Sequence, residues 1–243
     1  GLLWSRAMYE DAIGQLSRRF RCVSYDHRGQ GQSDKSSRSA ISIETLTEDA
    51  IALIETLDIG PVHFVGLSMG GFVGMRLAAR RPDLIRSLVL ISTAADKEPS
   101  SNIPKYTLLN WITKLFGVGV VASAVMPIMF GKTFLNNSDR TEERVYWKKK
   151  LTENERSVTQ AVRGVFERDG VEAELAQICC PTLVLHGSED AAISIERADA
   201  LQTKIPHSTL VRTPIGGHSL PIEQPQFVST HLDQFFSQQV PST

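Results

Sequence analysis

Apolar residues recur along the chain in two alternating patterns, short runs and helical repeats. Short apolar runs predict buried strands at residues 20–25, 62–67, 88–92, 181–185 and 208–212. Between the first two runs, apolar residues from Ile43 to Leu57 repeat every three or four positions, which predicts a helix that Ser42 can cap. A last helix is predicted over residues 224–238. Strands that alternate with helices predict a doubly wound, mostly parallel α/β sheet with helices on both faces.

The alternation stops between residues 97 and 177, where the pattern predicts several helices and no strand. We expect this segment to form a helical lid inserted between a first core part, residues 1–96, and a second core part, residues 178–243. Its stretch 115–130 has no charged residue, which favours a buried lid face. An interfacial patch is the alternative, while a membrane span is disfavoured by the short length. The apolar side chains expected to wall a substrate pocket are Trp111, Phe116, Met126, Met129, Phe130 and Phe134.

The sequence Gly66-Leu67-Ser68-Met69-Gly70 lies between a predicted strand and a helix predicted over residues 71–80. A serine between glycines in a sharp strand-to-helix turn is typical of a nucleophile elbow, which lifts the serine hydroxyl above the sheet. Glycine suits the flanking positions because so tight a turn leaves almost no room for side chains. The turn also points the backbone N–H of Met69 toward the place where an oxyanion would form. Ser68 is therefore the candidate nucleophile, with an ordinary tight turn as the alternative.

A serine hydroxyl needs a base that takes its proton and an acid that orients the base. Among the six histidines, His218 is the candidate base because it lies in a glycine-rich loop after a predicted strand. Asp190 follows the predicted strand 181–185 and is the candidate acid. The neighbouring Glu189 is expected to point elsewhere, and Asp96, after the strand 88–92, is the second choice.

Four stretches of the chain carry a family resemblance. They are the turn Asp-His-Arg-Gly-Gln-Gly-Gln-Ser at 26–33, the elbow at 66–71, the acid loop at 185–190, and the histidine loop at 217–219 with Glu-Gln-Pro at 223–225. Together they resemble the motifs of the α/β-hydrolase fold, and among its members small lidded esterases and 3-oxoadipate enol-lactonases. The chain order of serine, aspartate and histidine is also the order of that family. The motifs are specific for the fold and much less specific for the substrate.

The resemblance implies a serine hydrolase that cleaves a carboxylic ester or lactone of a small, partly apolar substrate through an acyl-enzyme. In that reaction His218 accepts the proton of Ser68, Asp190 orients the ring, and the N–H groups of Met69 and Leu2 hold the oxyanion. Two alternatives use the same triad: hydrolysis of a C–C bond and cofactor-free perhydrolysis. A third is a non-catalytic, hydrolase-like protein that binds a ligand.

The start of the chain departs from the resembled pattern. Residues 1–5, Gly-Leu-Leu-Trp-Ser, resemble the segment that follows the third strand of the family, which is why the second oxyanion N–H is assigned to Leu2. We therefore expect the opening strands to be absent. Because the third strand lies inside the sheet, its absence would leave unpaired N–H and C=O groups, each costing about 1–3 kcal/mol. On this ground the sequence is expected to be a fragment of a longer polypeptide, or metastable by itself.

The charge and the amino-acid composition restrict the expected partners, cofactors and cellular setting. The chain has 26 basic and 27 acidic residues, so no basic surface for a nucleic acid is indicated. Three cysteines, two of them adjacent, do not suggest a disulfide framework and favour a cytoplasmic setting. No metal-ligand spacing and no phosphate-binding glycine loop occurs, so neither a metal nor a cofactor is expected. The expected partner is a small-molecule ester or lactone, and the oligomeric state is left open.

Overall fold

Four parallel strands form the sheet of this protein. The computed structural model describes residues 1–37 and 39–239, and the strands are β1 (Val62–Leu67), β2 (Ile85–Ile91), β3 (Thr182–Gly187) and β4 (Ser208–Thr213). They lie side by side in the order β1-β2-β3-β4, and each neighbouring pair is parallel. The strands predicted at 62–67, 88–92, 181–185 and 208–212 are thus confirmed, with small shifts of their ends.

Helices connect the strands and cover both faces of the sheet. Those outside the segment between β2 and β3 are α1 (Glu10–Leu16), α2 (Ile43–Thr56), α3 (Met69–Arg80), α9 (Ile195–Lys204), α10 (Leu220–Glu223) and α11 (Pro225–Ser237). Short 3-10 helices lie at Arg6–Tyr9, Pro82–Leu84, Ser138–Arg140 and Glu172–Gln177. The predicted helix ends agree closely for α11, and the predicted cap of α2 is present, since Ser42 Oγ accepts from the Thr45 N–H at 3.1 Å.

Alternate residues of the strands face two separate cores. On one face, Val89 and Ile91 of β2 pack in a cluster with α1, α11 and the helix Val118–Met129. On the other face, Leu88 and Leu90 pack with α2, α3 and α9. This alternation follows from the two-residue period of a strand. The prediction of a doubly wound sheet, covered on both faces, is confirmed.

Residues 20–25 were predicted to be a strand, and this prediction is wrong. The segment has no strand assignment, and in the described part of the chain β1 pairs only with β2. A cavity of about 550 Å³ is lined by both residues 20–25 and β1. A strand needs a partner about 4.8 Å away to form its ladder of hydrogen bonds. The cavity lies between residues 20–25 and β1, so the two segments do not form a ladder.

Besides two of the short 3-10 helices, the segment between β2 and β3 contains five α-helices and no strand. They are α4 (Ile103–Phe116), α5 (Val118–Met129), α6 (Lys132–Asn136), α7 (Thr141–Thr152) and α8 (Val158–Phe166). We call residues 97–177 the helical insertion. One side of α5, with Val118, Val121, Ala122, Val125, Met126 and Met129, is buried. In the described residues no helix combines the length and apolar character needed to cross a bilayer.

Candidate active site

Ser68 is the single residue between the end of β1 and the start of α3. Its backbone has φ 49° and ψ −110°, a conformation that residues other than glycine rarely adopt. Two hydrogen bonds hold it there: the Ser68 N–H donates to the Ile91 carbonyl at 2.9 Å, and the Thr93 hydroxyl donates to the Ser68 carbonyl at 2.9 Å. Strained backbone of this kind persists where the surroundings fix it, which is common at active sites.

The glycines around Ser68 do not all have the same reason to be glycine. A Cβ on Gly66 would lie 2.3 Å from the carbonyl carbon of Gly70, and a Cβ on Gly71 would lie 2.6 Å from the Thr93 side chain. A Cβ on Gly70 would find its nearest atom, Nε2 of His27, at 4.0 Å. The expectation that both flanking positions exclude side chains is therefore right for Gly66 and wrong for Gly70. The tight approach is between β1 and the backbone of α3.

The loops after β3 and β4 bring Asp190 and His218 together. His218 Nδ1 lies 3.0 Å from Asp190 Oδ2 and 3.2 Å from Oδ1, and both side chains are almost fully buried. Asp190 Oδ1 also accepts the N–H groups of Ala192 and Ile193 at 2.8 and 2.9 Å. Burial would raise the pKa of Asp190, but the charge and hydrogen bond of His218, with the Ile193 N–H, lower that pKa below its ordinary value. An ionised carboxylate in this position fixes the imidazole tautomer and stabilises an imidazolium.

The other candidate acids have different partners. Glu189 accepts from the backbone N–H of Thr133 at 2.8 Å and from its hydroxyl at 2.6 Å, so it ties the acid loop to α6. Asp96 forms an ion pair with Arg197 at 2.8 Å and is 40% exposed. Of these three carboxylates, only Asp190 contacts His218.

Ser68 and His218 line one cavity of about 130 Å³, together with Leu2. Most of the remaining wall is apolar and comes from α4, α5 and α8 of the helical insertion. The polar side chains in the wall, besides the serine and histidine, are Glu98, Tyr106, Asn110 and Thr113. A small, mostly apolar cavity with a few polar groups is typical of a site for a small molecule.

The structure corrects most of the expected pocket residues. Only Met129 of the six lines the cavity. Trp111 and Phe116 are 57% and 62% exposed on the outer side of the insertion. The others, Met126, Phe130 and Phe134, belong to the core cluster on that face of the sheet, where Phe130 stacks on Phe134 at 4.7 Å between ring centres. Aromatic residues gain more by packing between the insertion and the core than by lining a small cavity.

Met69 and Leu2, the two expected oxyanion residues, lie beside Ser68. Met69 is the buried first residue of α3, so its N–H is one of the free donors at a helix N-terminus. Leu2 lines the same cavity as Ser68. Side chains of the 26–33 turn hold the chain on which Leu2 lies: the Leu3 N–H donates to Gln30 Oε1 at 2.7 Å and the Arg6 N–H donates to Asp26 Oδ1 at 2.6 Å.

One buried carboxylate near the site was not identified from the sequence. Glu223 accepts the backbone N–H groups of Gly217 at 2.9 Å, Ser219 at 3.1 Å and Gly131 at 2.8 Å. Burial raises the pKa of Glu223 to about 7, against the opposing effect of these three hydrogen bonds. In the sequence, Glu223 begins the Glu-Gln-Pro stretch of the histidine-loop motif, five residues after His218, but no role was predicted for its side chain.

A second polar pair lies at the wall of the cavity. Glu98 Oε2 is 3.0 Å from Arg168 Nη1, and both side chains are buried. The Arg168 guanidinium also lies over the Phe72 ring, 4.1 Å from its centre. Among the described residues, no group of three or more histidine, cysteine, aspartate or glutamate side chains is placed to hold a metal ion.

Comparison with known proteins places this geometry in a family. A sequence profile described as the alpha/beta hydrolase fold matches residues 1–225. Over 243 residues the chain is 28% identical to RutD, a candidate carbamate hydrolase from Pseudomonas syringae pv. syringae (strain B728a), with 98% of this chain and 92% of the relative covered.

Two solved structures are similar over nearly the whole chain. A thermophilic esterase from Thermogutta terrifontis has a TM-score of 0.89 and 26% identity, covering 98% of this chain and 88% of that one. The enol-lactonase from Burkholderia xenovorans LB400 has a TM-score of 0.88, the same identity and the same coverage. With a matching profile across most of its length, the chain belongs to the alpha/beta hydrolase fold family of enzymes.

Proposed function

We propose that this protein is a serine hydrolase that cleaves a carboxylic ester or lactone of a small, partly apolar substrate. The observation that carries the proposal is the Asp190–His218 hydrogen bond at the wall of the cavity that Ser68 also lines. The esterase and the enol-lactonase similar to this chain support the same reaction class.

The proposed reaction has two halves. His218 accepts the Ser68 proton as the serine oxygen attacks the carbonyl carbon, and Asp190 stabilises the imidazolium that forms. The N–H groups of Met69 and Leu2 hold the oxyanion, where loss of one donor typically costs about 100- to 1000-fold in kcat. His218 then gives its proton to the leaving oxygen. Water, activated by the same histidine, hydrolyses the acyl-enzyme and restores the serine.

A carbamate is the second candidate substrate. Its carbonyl is attacked in the same way as that of an ester, but it also carries N–H donors. Asn110 lines the cavity, and its Oδ1 atom is buried without a hydrogen-bond partner among the described residues. A substrate N–H that reached this acceptor would supply the missing hydrogen bond. The similarity to RutD supports carbamates as the second candidate substrate class.

A fluorophosphonate probe followed by intact mass tests the proposed nucleophile. We expect one adduct, mapped to Ser68, and no adduct in Ser68→Ala or His218→Ala. The matched control is His231→Ala, because His231 lies on α11 and contacts the Phe227 carbonyl; it should label as fast as the unmodified protein. Absence of an adduct from folded protein would contradict the triad and favour the ligand-binding alternative.

A substrate panel then separates the reaction classes. Acetyl and butyryl esters should be turned over faster than octanoyl esters because the cavity is small. Lactones and N-unsubstituted carbamates of similar size complete the panel. Asn110→Leu should lower kcat/KM for the carbamates by about tenfold and leave that for the esters within about threefold, since one neutral hydrogen bond is worth about 0.5–1.5 kcal/mol.

A further inference from the structure

Helix α4 of the insertion has two contrasting faces. Its inner face contributes Tyr106, Leu109, Asn110 and Thr113 to the wall of the 130 Å³ cavity. Its outer face carries Leu108, Trp111 and Leu115, which are 57%, 57% and 43% exposed. At the turn into α5, Phe116 and Val120 are 62% and 65% exposed. We call these five exposed residues the outer apolar stripe.

The stripe is unusual for a surface helix in water. Leu108, Trp111 and Leu115 are spaced by three and four residues, so they lie one above the other on the same side of α4. Burial of these side chains would be favourable because it removes apolar surface from water. Scattered exposed apolar residues are ordinary, but adjacent large ones mark a surface that contacts a partner.

Two lysines of α4 flank the stripe. From Pro99 to Ser138 the sequence contains the lysines Lys105, Lys114 and Lys132 and no acidic residue. At about 100° per residue, Lys105 and Lys114 lie about 90° to either side of the line through Leu108, Trp111 and Leu115. A further cation, Lys148 on α7, reaches α5 and contacts Ser123 Oγ at 3.1 Å.

From this arrangement we infer that the outer apolar stripe docks on an anionic lipid surface. Apolar and aromatic side chains enter the boundary between headgroups and acyl chains, while lysines on both sides contact the headgroups, as in amphipathic helices that lie in the membrane plane. Helix α4, with 14 residues, lies on such a surface rather than crossing it. A second copy of the chain fits less well, because a symmetric contact would place Lys105 and Lys114 against the same lysines of the other copy. Neither α4 nor α5 offers an acidic partner.

Docking of this kind brings the cavity close to the lipid. Because one helix carries the stripe on its outer face and cavity residues on its inner face, apolar substrates dissolved in the membrane would be within one helix diameter of the cavity, about 10 Å. This inference goes beyond the proposed reaction and does not rest on it.

Vesicle binding tests the inference with a built-in probe. Of the three tryptophans, Trp111 is 57% exposed, Trp4 is 4% exposed and Trp147 is partly buried against Trp4. Docking should therefore shift the emission of Trp111 to shorter wavelength. We expect the shift, and co-sedimentation, with vesicles of phosphatidylcholine containing 30% phosphatidylglycerol, and at least tenfold weaker binding to pure phosphatidylcholine. Trp111→Phe should remove the spectral shift and retain most of the co-sedimentation.

Paired variants separate the stripe from the rest of the surface. Leu108→Ser with Phe116→Ser should weaken binding at least tenfold, and Lys105→Glu with Lys114→Glu should abolish the preference for anionic vesicles. The controls are Leu57→Ser, at a residue 40% exposed at the end of α2, and Lys204→Glu at the end of α9; both should bind like the unmodified protein. Circular dichroism confirms that each variant is folded.

Three results would overturn the inference: no binding to either vesicle, equal binding to neutral and anionic vesicles, or a dimer in light scattering that is lost in Leu108→Ser/Phe116→Ser. Turnover of a soluble short-chain ester is measured in parallel. It should change less than about twofold in that double variant, so failure of the proposed hydrolase reaction is distinguishable from failure of docking.

Discussion

The backbone N–H of Gly131 donates a hydrogen bond to the Glu223 carboxylate at 2.8 Å. Gly131 lies just before α6 in the helical insertion, and Glu223 is the last residue of α10. The same carboxylate accepts from Gly217 and Ser219, the two neighbours of His218. A single buried side chain therefore fixes both the loop of the candidate base and the place where the insertion meets it.

Replacement of Glu223 by glutamine should change how stability depends on pH. The pKa of Glu223 is raised by burial from 4.5 to about 7, so between these values the folded state holds a proton that the unfolded chain has lost. Its contribution is fully present below pH 4.5 and is lost as the pH rises to 7, with a total of about 3 kcal/mol. Urea unfolding at pH 4.5 and 7.5 should show this loss in the unmodified protein relative to Glu223→Gln.

The quantity to measure is the difference in the free energy of unfolding between the unmodified protein and Glu223→Gln at each pH. The pH dependence of either protein alone also contains other groups. Burial lowers the pKa values of His27, His63 and His186, and these histidines make stability rise with pH over part of the same window. They are present in both proteins and cancel in the comparison. Parallel pH profiles of the two proteins would show that Glu223 titrates normally.

Alanine at Gly66 should be far more destabilising than alanine at Gly70. The new Cβ at Gly66 would lie 2.3 Å from backbone atoms of α3, which cannot move without shifting the helix, so we expect a loss of at least about 3 kcal/mol. At Gly70 the nearest atom is 4.0 Å away, and alanine favours helix by up to about 1 kcal/mol. Urea unfolding of both variants checks this, and similar losses would contradict the described elbow geometry.

Removal of one partner of the buried Glu98–Arg168 pair should cost about 3–5 kcal/mol, because the other charge stays buried without its counter-ion. Glu98→Ala tests this by urea unfolding, and Glu98→Leu with Arg168→Met should recover most of the loss. As a control, Asp233→Ala breaks the exposed pair with Arg19 and should cost less than about 1 kcal/mol. A similar loss of unfolding free energy in Glu98→Ala and Asp233→Ala would mean that burial does not increase the contribution of the Glu98–Arg168 pair to stability.

The strands could be predicted because burial on both faces of the sheet makes them short, continuous apolar runs. Most helices could be predicted because one buried face places an apolar residue at every third or fourth position. The run at 181–185 and the repeat at 224–238 correspond to β3 and α11 within two residues. The turn around Ser68 could be predicted as well, because Gly66 is required by the close approach of β1 to the backbone of α3, the next element in the chain. Local geometry of this kind is encoded in a short stretch of sequence.

Features that depend on distant contacts could not be predicted in the same way. Trp111 was assigned to the pocket because its apolar character does not say which side of α4 faces inward. The inner side carries Tyr106, Asn110 and Thr113, because it lines a cavity rather than a packed core. The Glu223 carboxylate accepts a hydrogen bond from Gly131, which is 92 positions away in the sequence. A local sequence pattern does not predict a contact between residues so far apart.

The unpaired side of β1 favours association between copies of the protein. Backbone groups along this edge have no ladder partner among the described residues and border the 550 Å³ cavity. An open sheet edge is a template for strands of other molecules. Pairing between two molecules is second order in protein concentration. A concentrated solution should therefore lose its monomer faster than a dilute one, even at temperatures far below the unfolding transition.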